Sequence, residues 1–303
     1  MSDNNNLIEN HYIVKFLTAD KNTLSSLING RFKASFPKEF NDPVDAAFNL
    51  SQKQIEILSQ KHDVSVEILQ FFLDYAAAFQ MACLADCDPI SFQSTSMWAH
   101  YASSFEGVAI CYNSNDLMNR ISEKDKSGSL IRKVKYTKCL NNRFEIFDRV
   151  LELSKSAALY DINQLLAEEY SQKLDFWAYE NEVRLFFSGF NNLMSKSVLT
   201  SLKNQLGIEY NPLIVDEQYA QLTSTLIKKE KEKSFKELEQ DKRYSNSLFL
   251  EFEIKPEKII MGHKIKAEHE LDIINLCKPL NIQITKLSIP EDVSRNKYGE
   301  IYI

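Results

Sequence analysis

The stretch Asp175-Phe176-Trp177-Ala178-Tyr179-Glu180-Asn181-Glu182-Val183-Arg184-Leu185-Phe186-Phe187 decides how the chain is read. It holds one of the two tryptophans and three charged residues at a spacing of two. Drawn as a β-strand, it puts Glu180, Glu182 and Arg184 on one face, and Val183, Leu185 and Phe187 on the other. The two carboxylates then lie about 7 Å apart, from a rise of about 3.3 Å per residue. Arg184 sits beside Glu182 and favours its ionised form. This is half of an active site, or else a solvent-facing strand with a short charge ladder. Structural ion pairs are the commoner of the two.

Working outward, strands and helices alternate without a strict βαβ rhythm. His11 to Phe16 reads as a first strand, Thr23 to Asn29 as a helix stopped by Gly30, and Arg31 to Phe36 as a second strand. Ser51 to Gln54 forms a capping box that opens a helix. Val108 to Tyr112, Ile131 to Tyr136, Ser247 to Ile254 and Ile282 to Ile289 read as further strands, and Asn142 to Leu174 as helix with a break at Asp161. The expected architecture is a single α+β domain, residues 1–303, with a mixed or antiparallel sheet. Helical insertions are expected at 46–78, 142–174 and 190–245. The run from Lys228 to Lys242 is dense in Lys and Glu and reads as a solvated helix.

The composition narrows the function classes. At 44% hydrophobic content, 303 residues can bury a large core. The net charge of −6 and the pI near 5.5 give no general affinity for nucleic-acid phosphate. Five cysteines without a C-x-x-C point to neither a disulfide scaffold nor a zinc site, and a reducing cytoplasm fits them. No signal peptide and no membrane span are expected. The seven glycines are too scattered for a Walker or Rossmann phosphate loop.

Three further blocks stand out. Phe40-Asn41-Asp42-Pro43 is a turn in which Asn41 and Asp42 bond back to local amides. Met97-Trp98-Ala99-His100-Tyr101 could bind a flat ring, or could be an aromatic core cluster with one satisfied imidazole. Pro256-Glu257-Lys258-Ile259-Ile260-Met261-Gly262 is the last. Cys83 and Cys111 lie in apolar strand patterns and read as core.

Taken in order with the opening stretch, these blocks resemble a widespread bacterial family of domains of unknown function. Its signature is F-N-D-P, M-W-x-H-Y-A, W-x-Y-E-x-E-x-R and a late I-I-x-G. More distantly, the strand–helix–Gly opening and the late Glu-x-Glu are similar to ADP-ribosyltransferase-like domains. That similarity implies a cytoplasmic enzyme transferring ADP-ribose from NAD, in the role of a toxin or phage-defence effector. It implies Glu182 as the catalytic carboxylate, Glu180 orienting the acceptor, and His100 or Tyr101 contacting nicotinamide or ribose. Lys15 takes the first-strand position, where typical members have Arg or His before a small residue; here Phe16 follows. The implied partners are a small nucleotide ligand, with NAD as substrate, and an acceptor macromolecule, with no metal.

Two other functions compete. A non-catalytic ligand sensor would use Trp98, Trp177 and Tyr179 as stacking walls. A metal-dependent nuclease would use Asp42, Asp45, Glu180 and Glu182.

Overall fold

The computed structural model describes residues 12–37, 40, 42, 50–77, 79–124, 129–154, 159–187, 249–251, 254–291, 294 and 296–303. The expected insertion at 190–245, the Lys/Glu-rich run within it, Asn41 and Asp45 lie outside the described residues.

β1 (Tyr12–Leu17) leads into α1 (Lys21–Ile28) and β2 (Arg31–Lys33). Gly30 closes α1 with φ 71°, its amide donating to Leu27 O at 3.0 Å. α2 (Gln52–His62) and α3 (Val66–Ala77) precede β3 (Gln80–Asp86). The expected capping box opens α2: Ser51 Oγ accepts from the Gln54 amide at 3.4 Å, and the Gln54 side chain accepts from the Ser51 amide at 2.9 Å. α4 (Thr95–Tyr101), β4 (Val108–Asn113) and α5 (Ser114–Lys124) lead to β5 (Ser129–Lys133) and β6 (Lys135–Thr137). α6 (Arg143–Ser154) and α7 (Leu159–Glu169) precede β7 (Gln172–Leu174), a 3-10 turn over Asp175–Glu180, and β8 (Glu182–Phe187). β9 (Phe249–Glu251), β10 (Lys258–Met261), α8 (Ala267–Cys277), β11 (Gln283–Ser288) and β12 (Gly299–Tyr302) complete the described elements.

The architecture is α+β. An eight-stranded sheet runs β12-β11-β10-β4-β1-β3-β8-β5. Its pairs are antiparallel except β10 with β11, which are parallel and joined through α8. α1 and α8 contribute Leu24, Leu27 and Ile273 to a core with Ile13, Ile110, Tyr112 and Leu185. α2, α3, α6 and α7 contribute Leu58, Phe72, Phe147 and Leu166 to a second core with Met81 and Phe186. A third cluster joins Met97 and Trp98 of α4 to Val14, Phe16, Ala109 and Ile260.

β8 is therefore covered on both faces. Arg184, at 0% exposure, and Phe186 share the face opposite Val183 and Leu185. The solvent-facing charge ladder weighed for this stretch is overturned. Glu180 is not on the strand at all, because Asn181 at φ 41° separates the 3-10 turn from β8. Asn tolerates this left-handed conformation, and the Asn181 side chain and carbonyl both bond the backbone of Asp86. The helix expected to run to Leu174 stops at Glu169, and the strand expected over 131–136 divides at Val134, whose amide donates to Glu182 O at 2.9 Å.

Two glycines lock the sheet to the turn that follows α4. The Gly262 amide donates to Gly107 O at 2.9 Å. A Cβ at Gly262 would lie 2.1 Å from Phe105 O, and one at Gly107 would lie 2.2 Å from Leu17 O. No side chain fits either place.

Candidate active site

β1 and β3 are in register at Ile13 with Asp86 and at Val14 with Ala85. Beyond that point Lys15 Nζ donates to the Cys83 carbonyl at 2.7 Å. A pocket of roughly 100 Å³ opens here. Val14, Lys15 and Phe16 of β1 line it, with Cys83, Leu84 and Ala85 of β3. Met97 and Tyr101 come from α4, Lys173 from β7, Trp177 and Glu180 from the 3-10 turn, and Glu182 from β8; Phe40 and Asp42 close the wall.

Lys173 is buried and sits between the two carboxylates. Its Nζ is 2.6 Å from Glu180 Oε2 and 3.1 Å from Glu182 Oε2. The left-handed Asn181 produces this convergence, since strict strand geometry would have kept the two side chains parallel. Arg184 donates through Nε to Glu182 Oε1 at 2.8 Å and through Nη2 to Oε2 at 3.1 Å. Its Nη1 donates to Tyr170 O at 2.6 Å, and its guanidinium lies 5.5 Å from the Phe40 ring. Tyr101 donates to Glu180 Oε1 at 2.5 Å. The Glu182 amide donates to Tyr136 Oη at 2.8 Å. Trp177 donates through Nε1 to Asp42 Oδ2 at 2.9 Å, and Lys173 Nζ lies 4.8 Å from its ring centre.

These surroundings push the two carboxylates apart. Burial alone would raise Glu182, but the Arg184 fork and Lys173 overcome it and hold the carboxyl down at about 2. For Glu180, burial outweighs Lys173 and Tyr101, so its pKa is raised. Burial also raises Tyr101, with the Glu180 carboxylate adding to it. Tyr136 is pushed up to about 12, mainly by burial. The Cys83 thiol is raised by burial and by the Glu182 charge, which keeps it protonated.

The structure thus brings Lys15, Asp42, Tyr101, Trp177, Glu180 and Glu182 to one pocket, with Arg184 behind Glu182. His100 is exposed on the last turn of α4, outside the lining, with its ring 6.0 Å from that of Tyr179. Tyr179 is half-buried, with its ring 6.0 Å from that of Trp177, and adjoins the lining without being part of it. Trp98 is not a pocket wall. It is fully buried, stacks on Phe105 at 5.7 Å, and donates to Pro89 O at 2.7 Å, so no face of it is left for a ligand.

Asp42 bonds Trp177 rather than joining the glutamates, and between the glutamates stands an ammonium. Among the described residues no group of three or more His, Cys, Asp or Glu is arranged to hold a metal ion. Sequence reading missed Lys173 and Tyr136, and it assigned to the core a Cys83 that the structure places in the pocket lining. The available signal for Lys173 was that it is the sole cation between Leu159 and Glu182.

Residues 97–185 match the model of a family described as Protein of unknown function (DUF2971). The matched span carries Tyr101, Tyr136, Lys173, Trp177, Glu180, Glu182 and Arg184. Lys15 and Asp42 complete the pocket from outside it. No curated protein and no solved structure matches the chain. Among the described residues no helix is long and apolar enough to cross a membrane.

Proposed function

We propose that this pocket is the active site of an ADP-ribosyltransferase-like enzyme that takes NAD as its substrate. The observation that carries the reading is the pair of buried carboxylates on one lysine, Glu182 held ionised and Glu180 held with a raised pKa. Environments that separate two carboxyl groups in this way assign them separate roles. Glu182 is the fixed anion. It faces the positive charge that develops on the ribose as the C1′–N bond breaks and nicotinamide departs with the bonding pair. Glu180 is the proton carrier. An acceptor hydroxyl attacks C1′, and Glu180 takes its proton. Lys173 holds the two side chains in place, Arg184 fixes Glu182, and Tyr101 orients Glu180. In a cell this chemistry belongs to a cytoplasmic toxin or phage-defence effector acting on a macromolecule.

Incubation with NAD, with and without cell extract, and measurement of released nicotinamide tests the reading. Release is expected from the natural protein and is expected to fall at least a hundredfold in Glu180→Gln. No release under either condition, or release unchanged in that variant, overturns it. One observation favours a second reading. Both Glu182 oxygens are already engaged by Arg184 and Lys173, as they would be in a non-catalytic sensor whose salt bridges only shape a pocket. A rise in melting temperature with NAD and no consumption of it selects that reading.

A further inference from the structure

At roughly 100 Å³ the pocket admits a ring-sized group and not a whole dinucleotide. The rest of any such ligand must lie outside the mouth. Adjoining the pocket walls, the chain places a row of aromatic rings. Phe176 and Trp177 are 5.2 Å apart between ring centres, Trp177 and Tyr179 6.0 Å, Tyr179 and His100 6.0 Å, and His100 and Tyr101 6.5 Å. The row is continuous with the site, because Trp177 and Tyr101 are themselves pocket walls.

Two elements build the row, the 3-10 turn over Asp175–Glu180 and the last turn of α4, and the Tyr101–Glu180 hydrogen bond ties them together. Successive rings from Phe176 to His100 are tilted by 44°, 42° and 37°. They therefore do not consume one another's faces by stacking. Phe176 is 62% exposed and His100 is exposed, while Trp177 and Tyr179 are half-buried. Lys173 lies against the Trp177 ring and Asp42 fixes its indole N–H, so this ring is held in one orientation. An ordered aromatic surface leading out of a pocket suits a planar, unsaturated ring, since every base has a π-face to stack.

We propose that the row formed by Trp177, Tyr179 and His100 binds the second planar ring of the ligand, which is the adenine when the ligand is NAD. The identity of the ligand rests on the reading above; the presence of a base-stacking platform does not. Trp98 is buried and Trp177 is half-buried, so ligand-dependent tryptophan fluorescence reports on this surface.

Titration with NAD, nicotinamide mononucleotide and AMP separates the questions. NAD is expected to bind at least tenfold more tightly than nicotinamide mononucleotide. Tyr179→Ala and His100→Ala are each expected to reduce that ratio about tenfold, equivalent to about 1.4 kcal/mol. Tyr179→Phe, which keeps the ring, is expected to preserve the ratio, and an unchanged melting temperature in Tyr179→Ala shows that a loss there is not misfolding. Equal affinities for NAD and nicotinamide mononucleotide, with no response to the variants, overturn the platform and leave the catalytic reading standing. Failure of both NAD and nicotinamide mononucleotide to bind removes the catalytic reading; AMP quenching that Tyr179→Ala abolishes then still supports the platform, and absence of AMP quenching overturns it. A single-stranded oligonucleotide that binds the row while NAD does not overturns the proposal in favour of nucleic acid. A change of oligomeric state in Tyr179→Ala, with no change in ligand binding, overturns it in favour of a second copy of the chain.

Discussion

Both carboxylates depend on Lys173, and Lys173→Met measures that dependence. The ammonium lies 2.6 Å from Glu180 and 3.1 Å from Glu182. Removing one partner of a buried ion pair costs about 3–5 kcal/mol. The two glutamates do not share the loss equally. Glu182 keeps the Arg184 fork and stays ionised. Glu180 keeps the Tyr101 hydroxyl, and its pKa, already raised by burial, rises further. A carboxyl whose folded-state pKa exceeds its unfolded value loses stability as pH rises from the unfolded value, about 4.3, through the folded one. The slope approaches about 1.36 kcal/mol per pH unit. The deficit is therefore expected to be about 3–5 kcal/mol at pH 8 and smaller at pH 5, because the raised pKa of Glu180 makes the loss grow as pH rises. Urea unfolding followed by tryptophan fluorescence at both pH values measures it. Adding Glu180→Gln is expected to abolish the extra loss at pH 8, because the amide has no proton to gain. A deficit equal at pH 5 and pH 8, or below about 0.5 kcal/mol at pH 8, refutes the assignment of Lys173 as their shared counter-ion.

The pH profile of nicotinamide release is expected to rise with a limb displaced above the ordinary glutamate range, because Glu180 must be ionised to take a proton and its pKa is raised. Initial rates across pH 4–8 check this, and a limb at or below about 4.3 counts against the role. Gly262→Ala is expected to destabilise the fold by about 3 kcal/mol, since its Cβ would meet backbone atoms of Phe105 at 2.1 Å and 2.6 Å; a melting temperature unchanged to within a degree would contradict the close approach. Ser104 is exposed with φ 53° and ψ 46°. Ser104→Gly is expected to stabilise by about 0.5 kcal/mol, the relief of left-handed strain exceeding the entropy that glycine adds to the unfolded chain, and thermal unfolding reads the sign.

Much of the fold was legible because its signals are local. Gly30, the Ser51 capping box and the alternation of Val108 to Tyr112 each fix an element from a few residues. The buried state of β8 was not legible. A strand written Glu-Val-Arg-Leu-Phe-Phe alternates charged and apolar residues, which is also how a half-exposed strand reads. What buries Glu182 and Arg184 is their mutual pairing together with Tyr170 O and Lys173, all set by tertiary contacts. Lys173 was hidden for the same reason. It reads as the tail of a helix, and only the pairing of β7 with β6 turns it toward the glutamates. Trp98 and Trp177 illustrate the limit from the other side. Each sits in a distinctive block, and residue type alone could not say that one is core and the other a pocket wall.

The geometry reverses the order in which the two glutamates are best tested. Resemblance singled out Glu182, yet Glu182 is the more structural of the pair. It neutralises Arg184, which is fully buried, and shares Lys173. Replacing it by Gln strands a buried guanidinium, so lost activity would follow from misfolding as readily as from lost chemistry. Glu180 carries less of the fold. Its substitution leaves Lys173 paired with Glu182, and a Gln carbonyl can still accept from Tyr101. What the substitution removes is the ability to bind and release a proton near the pocket. Activity lost in Glu180→Gln, with stability retained, is therefore the result that separates a catalytic pair from a salt-bridge lattice.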